Sequence, residues 1–385
     1  MNPIKVMHVI PTLGSGGAER QLANLVCNTS PEIIEHIVCM IEDNDFFGSS
    51  IRSAGYRTVN MRINKKRPFI RASMSVRKVI KESKPDILHS WLYNGNVVTR
   101  LASLGFNSIP IVASLQLPDY DPVAAKIGNW NPIKVGVLKK IDKLTAHFKK
   151  PHFVACSNFV RESYIRYFGI TEAGSSVIYN AFDPTGLETE AGKVELLKKE
   201  LNLPPESFVF FNVGRFDPQK NHRNLIPAFR RVLDEAADAY LLLAGVGILR
   251  EEIEDLAAEC GVSDRVLFLG RRDDIGDLLE LADVFVFPSF FEGLGIALVE
   301  AMSKGVPCIA SDIGVFREVL QDENHGLFID PHSQPDLTAA MLRLYNDADL
   351  RTRLGKASRL LAESRYSIEV TVASWEELYK KLVGR

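Results

Sequence analysis

Two consecutive Rossmann-like units, each a parallel β-sheet covered by helices, are the fold class that three observations predict. At 385 residues the chain exceeds one ordinary core and suits two domains of about 180 to 200 residues each. Short apolar runs alternate with longer helical patterns from one end to the other, the signature of an α/β fold. Between the two series lies a polar stretch, Phe182 to Pro205, with Pro184, Gly186, Gly192 and Pro204-Pro205, which reads as containing the linker.

In order, the strands expected in the first half are Ile4 to Ile10, Glu35 to Ile41, Arg57 to Met61, Asp86 to Trp91, Ile109 to Leu115, Phe153 to Ser157 and Ser176 to Asn180. Those of the second half are Phe208 to Arg215, Tyr240 to Gly245, Val266 to Gly270, Val284 to Pro288, Pro307 to Ser311 and Gly326 to Ile329. Each is an apolar run bounded by turn formers. The domains accordingly span 1–181 and 182–367. The final helix, in 368–385, packs on the second domain or crosses back to the first, and periodicity does not choose between them.

Hydrophobic content of 46% is ample for burial, and five cysteines, odd in number and widely spaced, indicate neither a disulfide framework nor a zinc site. A reducing cytoplasm is the expected setting. Met1 to Thr12 reads as a first strand rather than a signal peptide, and no apolar run approaches the roughly 20 residues that span a bilayer. Net charge of −2 hides an asymmetry: residues 1–180 carry 23 Lys+Arg against 13 Asp+Glu, the remainder 23 against 35. A basic half attracts phosphate-bearing substrates, anionic lipid or nucleic acid. No recognised nucleic-acid module accompanies it, so nucleic acid is not expected as a partner.

The most informative stretch runs from Pro288 to Met302. It sets Glu292 in a loop at a strand's carboxyl end and Glu300 one to two turns into the next helix, with Leu294, Gly295 and Ile296 at the helix start. Open α/β sheets bind ligands beyond their strand ends, and unpaired helix N-terminal amides favour an anion such as a diphosphate. The alternative is two solvated carboxylates. Glu300, however, is flanked by Val299 and Ala301, where a buried face is normally apolar.

Further basic and glycine-rich segments accompany it. Gly214-Arg215-Phe216-Asp217-Pro218-Gln219-Lys220-Asn221 ends the second domain's first strand; Arg215 offers a planar fork and Lys220 a compact cation for two phosphates, unless both are exposed loop charges. Near the start, Gly14-Ser15-Gly16-Gly17-Ala18-Glu19-Arg20 opens a helix and permits close approach to phosphate at Gly16 and Gly17. Its order does not match the dinucleotide fingerprint, and a plain turn is the other reading. From Lys134 to Lys150, Val137, Leu138, Ile141, Leu144 and Phe148 share a helical face, with Lys139, Lys140 and Lys143 largely on another. That pattern fits a helix covering a sheet, or a basic surface that meets anionic lipid or a lipid-diphosphate acceptor.

Together these motifs, with A-G-V-G, L-G-R-R-D-D, E-A-M-S-K-G-V-P and A-S-D-I-G, resemble the retaining nucleotide-sugar glycosyltransferases of the group 1 family, which have the GT-B fold: two Rossmann-like domains whose parallel sheets face a central cleft. The match covers nearly the whole chain and is densest from Asn180 to Asp330. The resemblance implies that Arg215 and Lys220 hold the diphosphate and that Gly17 approaches it from the other domain. It implies that Glu292 bonds the transferred sugar and Glu300 the ribose. Gly214, Leu294, Gly295 and Ile296 would lie near sugar and phosphate, with Arg271 beside the base and Gly245 and Gly247 at another cleft turn. His89 fits a family histidine at a strand end, or is a satisfied core histidine. Gln116 stands where the family often has another histidine, and could bond the sugar but not act as a base.

The expected activity is therefore transfer, with retention, of a hexose or N-acetylhexosamine from a UDP- or GDP-linked donor to a glycan, glycolipid or lipid-linked acceptor. No cofactor or metal is expected, because basic side chains and helix amides take its place. The expected location is cytoplasmic, peripheral at the inner face of a membrane if the lysine-rich face meets lipid. A nucleotide-sugar epimerase of the same fold and a catalytically weakened nucleotide-sugar-binding subunit are the alternatives.

Overall fold

The computed structural model describes residues 2–63 and 68–385 and divides into two compact units, Met1–Ala181 with Ile368–Arg385, and Phe182–Ser367. In the first unit the described strands are β1 (Ile4–Ile10), β2 (Ile34–Met40), β3 (Arg57–Asn60), β4 (Ile87–Trp91), β5 (Ile111–Leu115), β6 (His152–Ala155) and β7 (Ser175–Val177). They form a parallel sheet in the order β3-β2-β1-β4-β5-β6-β7. The second unit's strands are β8 (Phe208–Val213), β9 (Ala239–Ala244), β10 (Val266–Gly270), β11 (Val284–Phe287), β12 (Cys308–Ser311) and β13 (Leu327–Ile329), again parallel, ordered β10-β9-β8-β11-β12-β13. Strands covered on both faces become continuous apolar runs, and β4, β5, β11 and β12 are buried at every residue.

Each sheet reverses its winding once. In the first unit the chain leaves β1 to one side through β2 and β3, then returns to build β4 to β7 on the other; in the second, β8 and β11 flank the equivalent point. The loops after these four strands are thus where an open α/β sheet forms its crevice. Leu92, directly after β4, takes a left-handed backbone with φ 60°, an unusual conformation for a branched residue.

Two segments gain detail beyond the sequence expectation. The polar stretch after Phe182 is not a free connector: it forms a helix at Lys193–Glu200, and the Lys304 ammonium donates to Leu187 O at 3.1 Å, tying the stretch to the second unit. A Cβ on Gly276 would lie 2.6 Å from the same Leu187 carbonyl, so contact there needs a glycine. The terminal helix Ile368–Leu382 belongs to the first unit, where Ile368, Val372, Trp375 and Tyr379 join the core formed by β1, β2 and their covering helices. Among the described residues no helix is long and apolar enough to cross a membrane.

Candidate functional site

The second unit's crevice is built from the loops after β8 and β11. Asn212 on β8 donates to Val286 O on β11 at 2.7 Å and shares a 3.1 Å hydrogen bond with the buried His222 Nε2, so the two strand ends are cross-linked beneath the loops. His222 stacks on Phe216 with centroids 4.5 Å apart, and burial, aided by the Lys220 charge, pulls its imidazole down to about 3. It is a neutral support. Above it, Asn221 adopts φ 61° and donates to Pro288 O at 3.0 Å and Pro331 O at 2.7 Å, while Gln219 Nε2 donates to Phe291 O at 2.8 Å. These bonds pin the Lys220 loop to the Glu292 loop.

On that base Lys220 and Glu292 form a charge-assisted pair, both side chains largely buried, with the ammonium 4.5 Å from the Phe287 ring centroid. Gly214 lies against the Lys220 stem: a Cβ there would sit 3.0 Å from Cε. Gly295 caps the helix Ile296–Ser303 with φ 83°, and its Cβ would lie 2.7 Å from the Phe316 ring. Only glycine relieves both the left-handed backbone and that contact. Leu294 is buried beside it, and Glu300 is buried within the helix despite its charge.

The other expected site residues of this unit vary in exposure and contacts. Arg215 is 73% exposed and pairs at 3.1 Å with Asp217, two residues away. Gly247 has a packing reason of its own, since a Cβ would lie 2.3 Å from Phe216 O; Gly245, at φ 150°, would bring one to 1.9 Å from Gly214 O. Arg271 contacts Asp273 at 3.5 Å and is half-exposed, whereas Arg272 is locked by Asp274 and Glu200 at 2.5 and 2.7 Å. Among the described residues no group of three His, Cys, Asp or Glu side chains is arranged to hold a metal.

In the first unit Gly16 precedes and Gly17 begins the helix Gly17–Asn28, and a Cβ on Gly17 would meet nothing within 4 Å. Gln116 is half-buried, its side-chain oxygen accepting from Asn180 at 2.9 Å. Of the two readings of His89, the satisfied core histidine is the one its surroundings support. It is fully buried, Nδ1 2.7 Å from Tyr379 Oη and Nε2 2.7 Å from Ser114 Oγ, with both ring nitrogens engaged. Burial first, then the neighbouring His36, lowers its pKa, and it joins His8, His36, Trp91 and Trp375 in a polar-aromatic core.

The lysine-rich helix, Pro132–Lys149, inverts the sheet-covering pattern. It buries Asp142 and Thr145, which bind Arg100 on the helix Leu92–Ala102, and leaves Ile133, Val137, Leu144 and Phe148 between 52 and 78% exposed. Lys140 and Lys143 are exposed, and Lys139 lies 5.7 Å from the Tyr120 ring centroid. Beside the helix a cavity of about 420 Å³ is lined by Leu92, Tyr93, Tyr120, Trp130, Val135 and Leu138, with Asp119, Asn131 and Lys134. The sequence reading missed it. Asn131 followed by Pro132 was its available signal, an N-cap with proline at the first helical position.

The glycosyl transferases group 1 model matches residues 193–361, and the glycosyltransferase family 4 model residues 15–185. An Escherichia coli protein named UDP-Gal:alpha-D-GlcNAc-diphosphoundecaprenol alpha-1,3-galactosyltransferase is 25% identical over 363 residues, 94% of this chain and 89% of its own. The N-acetyl-alpha-D-glucosaminyl L-malate synthase of Bacillus anthracis is 30% identical over 183 residues, about half of each chain (48% and 48%). Anabaena HepE, solved in complex with UDP-glucose, superposes with a TM-score of 0.84 at 20% identity, covering 98% of this chain and all of that one (100%). The two parallel-sheet units are those of the GT-B fold, and the chain belongs to the group 1 glycosyltransferases.

Proposed function

We propose that this glycosyltransferase moves a hexose or N-acetylhexosamine from a nucleoside diphosphate, UDP or GDP, to a glycan or lipid-linked acceptor with retention of anomeric configuration. The observation that carries the reading is the buried Lys220–Glu292 pair at the switch point of the second sheet, next to the glycine-capped start of Ile296–Ser303. An ammonium has three donors, and Glu292 uses one, leaving others for the donor diphosphate. The carboxylate, held in place by the same bond, accepts from a hydroxyl of the sugar. Leu294, Gly295 and Ile296 supply amides at a positive helix end, and Glu300 binds the ribose. Arg215, itself largely exposed, reaches the diphosphate by exchanging its bond to the mostly buried Asp217 for one to the donor.

Charge developing on the leaving diphosphate is taken up by Lys220 and the helix amides, so the reaction needs no bound metal. The acceptor oxygen attacks the anomeric carbon on the face from which the diphosphate departs. The carbon–oxygen bond to phosphate breaks, and the acceptor proton passes to a phosphate oxygen; Gln116, an amide, cannot take it. The Escherichia coli relative, named for a UDP-galactose donor and a diphosphoundecaprenol-linked acceptor, and Anabaena HepE, solved with UDP-glucose, support a UDP donor and a lipid-linked acceptor. Lys139, Lys140 and Lys143, interleaved with exposed apolar residues, would hold the enzyme peripherally against the cytoplasmic face of an anionic membrane.

Incubating the protein with a panel of UDP- and GDP-sugars and measuring nucleoside diphosphate release tests the donor class. Release confined to one or a few donors, enhanced by acceptor and unaffected by EDTA, is expected. Activity abolished by EDTA and restored by Mg²⁺ or Mn²⁺ would refute the metal-independent part.

A further inference from the structure

Resting on the lipid-linked acceptor reading, we infer that the cavity beside the helix Pro132–Lys149 takes the hydrocarbon chain of a lipid-diphosphate acceptor, with Lys134 serving the diphosphate end. Its volume, about 420 Å³, lies within the range of small-molecule sites. Its chemistry separates a hydrocarbon from a sugar. A sugar needs several convergent hydrogen-bond partners, yet the polar groups of this cavity are largely engaged elsewhere. The Tyr93 hydroxyl donates to Leu138 O at 3.1 Å, and the Tyr120 hydroxyl to Asp142 at 2.7 Å. Asp119 accepts from Tyr164 at 2.9 Å, and the Asn131 side chain accepts from Lys134 N at 3.1 Å as the helix cap. What remains to a ligand is chiefly aromatic ring and aliphatic side chain.

Two further observations give the occupant a route and a charge. The helix that contributes Lys134, Val135 and Leu138 to the cavity carries Ile133, Val137, Ile141, Leu144 and Phe148 to its exposed side, so an apolar path runs along the same element. Around that path stand Lys134, Lys139, Lys140 and Lys143, while the helix's one acid, Asp142, is buried and neutralised by Arg100. An uncharged chain alone leaves those cations unused. An anion alone leaves the apolar residues in water, and a lipid diphosphate satisfies both. Desolvation pushes the Asp119 carboxyl up to about 6, against the opposing Tyr164 bond, in keeping with a site poor in water.

A water-soluble short-chain isoprenyl diphosphate is the probe, with inorganic diphosphate and the matching isoprenyl alcohol as comparisons, and tryptophan fluorescence is the readout. Trp130 lines the cavity, whereas Trp91 and Trp375 are buried in the core. The isoprenyl diphosphate should give a saturable change that Trp130→Phe removes. Val135→Glu should weaken its binding at least about tenfold, and Lys134→Glu should weaken the diphosphate but not the alcohol. Near-ultraviolet circular dichroism checks that each variant is folded, and nucleoside diphosphate binding to each should be retained. Unchanged probe affinity in folded Val135→Glu, or inorganic diphosphate binding as tightly as the isoprenyl form, overturns the inference. Wild-type protein that binds the isoprenyl probe but no nucleoside diphosphate would overturn the donor reading instead.

Discussion

Lys220 and Glu292 are neighbours because Gln219 and Asn221, on either side of the lysine, bond the backbone of the Glu292 loop and its surroundings. A contact to a developing anion in a water-poor site contributes about 2 to 4 kcal/mol, so Lys220→Ala should lower turnover roughly 30- to 1000-fold. Arg215→Ala, removing a largely exposed guanidinium, should cost distinctly less; equal losses would give the two side chains equal shares in holding the diphosphate. In the proposed reaction the glutamates would divide by what they touch, Glu292 the sugar and Glu300 the ribose. Glu292→Gln should chiefly reduce kcat, and Glu300→Gln should chiefly raise the donor KM, since only interactions that strengthen in the transition state appear in kcat. Steady-state kinetics on both variants checks this, and the reverse pattern would exchange the roles. Of these residues, Glu292 and Lys220 were legible in sequence from their positions after apolar runs. Asn221 and Gln219 were not, because their roles depend on a neighbouring loop some seventy residues away. His89 shows the opposite limit: a strand-end position suggests reactivity, but only the packed Tyr379, from the far end of the chain, reveals that its nitrogens are engaged.

At the level of elements, the strands were read to within a few residues because strands buried on both faces are continuous apolar runs. The helix Pro132–Lys149 shows why a face is harder to read than a boundary. Its apolar residues fall on one side by periodicity, yet the side packed on the protein is anchored by Asp142 to Arg100, a long-range ion pair that no local pattern announces. Its exposed lysines predict salt-sensitive vesicle binding, each contributing about 1 kcal/mol near an anionic surface. In co-sedimentation, changing Lys139, Lys140 and Lys143 to Glu should abolish the preference for acidic lipid. Equal binding of the native chain to neutral and anionic vesicles would contradict this. The helix Ile296–Ser303 is set by its cap. Gly295→Ala would place a side chain at φ 83° and against Phe316, costing at least about 1 kcal/mol, visible as a lower thermal midpoint.

Across the whole molecule, two units of similar architecture differ in charge, and each hides ionisable groups that make stability depend on pH. His8, His36, His89 and His222 are buried neutral, with His36 and His222 pulled down to about 3. The unfolded chain therefore binds protons that the folded chain refuses as pH falls below about 6.5, and stability is full above that value and lost progressively toward about 3. Asp119 and Asp283, whose carboxyls burial raises, act in the reverse direction but are fewer. Denaturant midpoints should fall between pH 7 and 5, less steeply for His36→Asn; a flat profile there would contradict the buried-histidine account. The role proposed for the Lys220–Glu292 pair is to handle the donor. It is tested most directly by nucleoside diphosphate release from the preferred nucleotide sugar, measured with native protein and with folded Lys220→Ala in saturating acceptor. A 30-fold or greater loss, about 2 kcal/mol, without dependence on added divalent metal, is expected; full turnover by Lys220→Ala would rule that role out.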